Sequence, residues 1–136
     1  MGDFTLIENI DYINKIFSKL NGRWHMILGN HDKWSHNKTD TQYLGVSSKI
    51  VNITHYKEKK VSGQKIIMMH YPIESWNCKH HGSIHIHGHS HGSNKNSLPN
   101  TTATIRRVDV GVDSWNFCPV SHEQVVELCK QISYEG

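Results

Sequence analysis

Cysteine is scarce in this chain, with three residues in 136. Cys78, Cys118 and Cys129 are scattered and form no C-x-x-C pair, which argues against a disulfide framework or a cysteine-built zinc site. No apolar run approaches the roughly 18 residues of a membrane helix. The N-terminal MGDFTLIENIDY lacks the basic-then-apolar pattern of a signal peptide. A reducing, cytoplasmic setting without membrane partners is therefore expected. Charge of one sign is also lacking. Fifteen basic against twelve acidic residues leave a net +3, with no basic stripe and no nucleic-acid recognition motif. The one basic run, Lys57-Glu58-Lys59-Lys60, reads as the solvated face of a hairpin. Repeats, low-complexity tracts and linkers are missing too, so residues 1–136 read as a single domain.

Histidine, by contrast, is abundant. There are twelve, and six of them fall between His80 and His91. Around them the apolar pattern predicts an ordered α/β chain. Ile10, Ile13, Phe17 and Leu20 recur at helical steps within Leu6–Leu20, and Asn21-Gly22 supplies a stop. Arg23–Leu28 reads as a strand, Lys33–Val46 as a loop and Lys49–Tyr56 as a strand. Gln64–Met69 follows the Ser62-Gly63 turn as another strand. Ser83–His87 and Thr101–Val112 alternate in the manner of strands. Ser121 with Gln124 has capping-box spacing before a last helix that carries Val125, Leu128, Cys129 and Ile132.

Three of these strands end in polar, histidine-bearing loops: Asn30-His31-Asp32, His70, and His89-Ser90-His91. Loops at strand ends converge on one site in α/β folds. Imidazole nitrogen with carboxylate and amide oxygen suits borderline first-row ions such as Mn, Fe, Co, Ni or Zn. His85 and His87 point away from Ile84 and Ile86 and read as packing groups. His80 and His81 read as exposed. Trp76, Trp115 and Phe117 read as lining the pocket mouth or capping the core, core foremost, and Asp109 and Asp113 as solvent or turn residues.

These motifs carry a resemblance. Gly29-Asn30-His31-Asp32 resembles the GNH[DE] motif of the calcineurin-like metallophosphoesterases, and Gly88-His89-Ser90-His91 resembles their GHxH motif. His70 in IIMMHYP resembles the single histidine between them, and Met1-Gly2-Asp3-Phe4 the upstream GD motif. The segments LNGRWHMILGNHD, MMHYPIESW, HIHGHSHG and VGVDSWNFCPVS are similar to the small bacterial and phage predicted phosphoesterases. The likeness runs through essentially the whole chain, but the family's opening D-x-H has no counterpart. The chain resembles a member shortened at its amino end by about one β-α-β unit, on the order of 30 residues.

The resemblance implies an α/β fold, an αββα sandwich of two mixed sheets. It also implies hydrolysis of phosphomono- or phosphodiesters, small molecules or nucleotides, at a dinuclear site where a hydroxide attacks phosphorus in line. Two divalent ions are expected, manganese foremost. Asp3 would bridge them, Asn30, His70 and His89 would complete one ion, and His91 with Asp3 would serve the other. His31 would be the general acid, oriented by Asp32. The alternative is an inactive or single-metal remnant that acts as a binding protein, or that associates through an exposed sheet edge.

Overall fold

The computed structural model describes residues 1–33, 38–39, 42–43 and 47–133. Helix α1 covers Ile10–Lys19. It starts later than the apolar period because Asn9 caps it. Asn9 Oδ1 accepts from the amides of Asp11 at 2.9 Å and Tyr12 at 3.1 Å, two donors that a first turn leaves unpaired. Ile13 and Phe17, one turn apart, are fully buried. They pack with Met26 and Leu28 of β1 (Trp24–Ile27) and its exit. Phe4 stacks on Phe17 at 4.8 Å, and Trp24 meets Phe17 edge-on.

Within the expected loop, β2 (Lys38–Thr39) and β3 (Gln42–Tyr43) form a short antiparallel pair. The rest of residues 34–46 lies outside the described residues. Strand β4 (Ile50–Thr54) pairs with β1 in parallel. The single strand expected over Lys49–Tyr56 is in fact two. The chain leaves one sheet at Thr54 and enters another at Tyr56, where β5 (Tyr56–Val61) begins. Thr54 Oγ1 donates to Tyr56 O at 2.9 Å and accepts from its amide at 3.3 Å. This local bonding competes with a continuous ladder.

The larger sheet runs β5-β6-β7-β8, with β6 at Gln64–Met69, β7 at Ile84–His87 and β8 at Arg107–Asp109. Its first pair is an antiparallel hairpin, and the other two pairs are parallel. Ser62 and Gly63 turn the hairpin with φ of 47° and 84°, the left-handed backbone that favours glycine in such turns. Lys59 and Lys60 of β5 are exposed, in keeping with a solvated edge strand.

Ile66, Ile84 and Val108 form the core under α2 (His122–Cys129), which contributes Val125 and Cys129. The capping box is complete: Gln124 N donates to Ser121 Oγ and Ser121 N to Gln124 Oε1. The opposite face of β7 and β8 is polar yet buried, with His85 and His87 beside Arg107 and Asp109 in register.

The strand expected over Thr101–Val112 shrinks to β8. Asparagine side chains claim the backbone before it. Asn96 Oδ1 accepts from Thr104 N at 2.8 Å, and Asn100 Oδ1 from Thr102 N at 3.2 Å, so the chain folds into turns. Leu98 instead bridges β8 on its far side.

The protein is thus mixed α/β, with two principal sheets and two α-helices among the described residues. No helix among the described residues is long and apolar enough to cross a membrane. Met68, Ile86 and Val110 line a groove of about 790 Å³, with Phe4, Trp24 and Val125 of α2 also in its lining.

Candidate metal centre

Strands β1, β6 and β7 deliver their carboxyl ends to one place, and the Met1–Phe4 segment lies against them. The site begins with His70, which is buried. Its Nδ1 lies 2.9 Å from the carbonyl oxygen of Met1. A carbonyl only accepts, so Nδ1 carries a proton, which leaves Nε2 as the nitrogen that would offer a lone pair to a cation. That Nε2 lies 3.0 Å from Asn30 Oδ1 and 3.2 Å from Asp3 Oδ2. Asn30 Oδ1 is also 3.2 Å from His89 Nδ1. Donor atoms of Asp3, His70 and His89 all fall within 4.8 Å of one another.

One ring nitrogen, one carboxylate and one amide oxygen thus face each other. A divalent cation between them would be ligated by their lone pairs. The mixed nitrogen and oxygen set matches a borderline first-row ion. The Met1 carbonyl plays the usual outer part of fixing the ligand tautomer. On this chemistry the residues fit a metal ion.

The backbone is strained where it delivers these groups. Asp3 has φ 51° and His89 φ 65°, left-handed values that cost a non-glycine residue on the order of 1–3 kcal/mol. The bend at the GHSH loop is taken by histidines themselves as well as by glycine. Asp3 is held there by a bond from the His31 amide to its Oδ1 at 2.9 Å. Gly29 permits that approach, because a Cβ at this position would overlap the Asp3 carboxylate and amide.

Four of the five expected ligands come together: Asp3, Asn30, His70 and His89. His91 lies outside that group. Its Nδ1 pairs with Asp113, and its side chain is 77% exposed. The Asp113 carboxylate, by hydrogen bond and charge, raises the pKa of His91. The His31 side chain is exposed. Asp32 is buried, and its carboxylate accepts from the amides of Phe4 and Gly29, each at 2.8 Å.

Two expectations need correction. Asp109 is no solvent residue: it is buried and accepts from Gly92 N at 2.9 Å and Gly111 N at 3.0 Å. It ties the GHSHG loop to the next turn. Asp113 keeps its expected place, exposed in the turn Val112–Trp115, and there partners His91. Phe117 is 80% exposed at the rim of the groove and not in the core. Only the alternation Arg107-Val108-Asp109 hinted that Asp109 sits on a covered sheet face.

His85 and His87 pack beneath the site as expected. His85 Nε2 accepts from Ile73 N at 3.2 Å, and its Nδ1 faces Ile67 O at 3.2 Å. Burial pushes its pKa down to about 4. His87 lies between Gly88 O and Ser97 Oγ, and burial lowers its pKa too.

No protein-family model matches the chain. It is similar to an uncharacterized protein of Methanocaldococcus jannaschii, MJ1445, with 26% identity over 132 residues. The match covers 96% of this chain, and the chain spans 64% of that relative's length. It is also similar to the crystal structure of a protein of unknown function from Aquifex aeolicus, AQ665. There the TM-score is 0.63 at 23% identity, over 94% of this chain and 73% of the other. That likeness supports the α/β architecture.

Proposed function

We propose that this protein hydrolyses phosphomono- or phosphodiesters at a divalent-cation centre, as a calcineurin-like metallophosphoesterase. The observation that carries the reading is the convergence of Asp3, Asn30, His70 and His89 from three strand-end loops and the N-terminal segment. The two principal sheets and two helices are compatible with the αββα sandwich that the motifs imply. A bound cation, manganese foremost, would supply positive charge to phosphoryl oxygens and acidify water. Asp3, Asn30, His70 and His89 hold it. His31, whose side chain is exposed beside Asn30 in the chain, donates a proton to the leaving oxygen. The His70 proton stays on Nδ1, against the Met1 carbonyl. Substrates are phosphoester small molecules or nucleotides.

The test is manganese-dependent hydrolysis of an aryl phosphodiester. His31→Ala should lose about 10²–10⁴-fold in kcat, the range for removing a general acid. His89→Ala should lose activity together with Mn²⁺ affinity. Full activity in both variants would rule the assignment out.

One observation favours a second reading, a single-ion protein that binds a partner. His91 is engaged by Asp113, and β1 has no second neighbour strand among the described residues. Elemental analysis separates the two. Two ions per chain exclude the binding protein, whereas one ion or none without turnover supports it.

A further inference from the structure

We infer that Asp32 positions Asp3 for cation capture and does not act through the His31 ring. The inference rests on reading Asp3 as a ligand. Two chain segments meet here that are 28 residues apart, and they are joined reciprocally. Phe4 N donates to Asp32 Oδ1 at 2.8 Å, and His31 N donates to Asp3 Oδ1 at 2.9 Å. Asp32 Oδ2 accepts from Gly29 N at 2.8 Å. One carboxylate therefore grips the residue after Asp3 with one oxygen and the residue against which Asp3 lies with the other.

The burial pattern says which member of the clasp holds the rest. Asp32 is 1% exposed, whereas Asn30 and His31 are exposed and Asp3 is half-buried. Charge-assisted bonds from backbone amides to a buried carboxylate are strong, and losing the acceptor leaves both donors unsatisfied. Asp3 needs such a hold. At φ 51° it is in a disfavoured conformation. The ring of Phe4 on Phe17 anchors one side of that segment, and Asp32 anchors its backbone. His31 enters the clasp through its amide, which any residue except proline would supply.

The experiment is Mn²⁺ titration of the full chain, read from the electron paramagnetic resonance of the free ion. Asp32→Asn keeps the shape but turns an amide NH₂ toward one of the two donors. It should weaken Mn²⁺ binding at least tenfold, and Asp32→Glu should not restore it. His31→Ala retains the clasp amide and should bind Mn²⁺ within twofold of wild type. If Asp32→Asn instead binds Mn²⁺ like wild type and loses only turnover, as His31→Ala does, Asp32 acts through His31 and the inference is overturned.

Hydrogen exchange of the Phe4 amide without metal gives a second readout. It should be protected in wild type and should exchange freely in Asp32→Asn, with near-UV circular dichroism otherwise kept. Should the variant not fold, an unprotected Phe4 amide in wild type overturns the clasp, and a protected one supports it. Wild type that binds no Mn²⁺ overturns the functional reading, while the Phe4 amide still decides the clasp.

Discussion

Two single positions carry more than their residue types suggest. Gly29 is needed for lack of a side chain, since a Cβ there would strike the Asp3 carboxylate. Gly29→Ala should therefore lower Mn²⁺ affinity by tenfold or more, measured by titration, with the melting temperature moving less than for a core deletion. His85 is a buried neutral imidazole whose folded pKa, about 4, lies below its ordinary 6.5. The unfolded chain binds the proton more readily between those values. Stability from His85 is thus full above pH 6.5 and is lost as pH falls from there toward about 4. Thermal melts across that window should show a falling midpoint, and His85→Gln should flatten the slope. The alternation in Ile84-His85-Ile86-His87 disclosed that both histidines share a face. It did not disclose what covers this face, because the covering groups, Ile73 and Ser97, come from other segments of the chain.

At the scale of elements, local chemistry accounts for what was legible. Gln64–Met69 is the strand its β-branched run and preceding turn predict. The Ser121 capping box forms as its spacing requires. Ser121→Ala should cost about 1 kcal/mol in denaturant unfolding. Phe17→Ala, which empties the centre of the α1–β1 cluster, should cost about 3–5 kcal/mol. The misread elements have a common cause. Thr54 and Asn96 use side-chain bonds to break a pattern that alternation alone would continue. The apolar period of α1 likewise runs back to Leu6, but Asn9 decides where the helix starts.

The whole molecule joins two apolar clusters, one around Phe17 and one around Val108, and a groove of about 790 Å³ is lined from both sides. Strands β1 and β4 make a sheet of only two parallel members among the described residues, although parallel sheets are ordinarily larger and covered on both faces. Val125 and Cys129 of α2 pack with Ile66 and Ile84 of the larger sheet, and Ile66, Met68 and Ile86 line the groove together with Val125. An apolar dye should therefore bind the native chain with its near-UV circular dichroism retained, unlike a molten globule. Val110→Glu should weaken that binding about tenfold in a fluorescence titration. Equal dye binding by both would show that the groove is not its seat.

The sequence by itself determined the elements and the chemical inventory of the site. Periodicity and capping are written within a few neighbouring residues, and so is the type of each donor: Asn30, His70 and His89 stand at strand ends by local pattern alone. Only the tertiary structure decided which donors meet. Asp3 joins His70 across the fold because Gly29 yields space and Asp32 grips Phe4. His91, two residues from His89, turns to Asp113 instead. The direction of a side chain at a left-handed residue, and the burial of Asp32 and Asp109, depend on segments distant in the chain. Those contacts exist only once the sheets have formed.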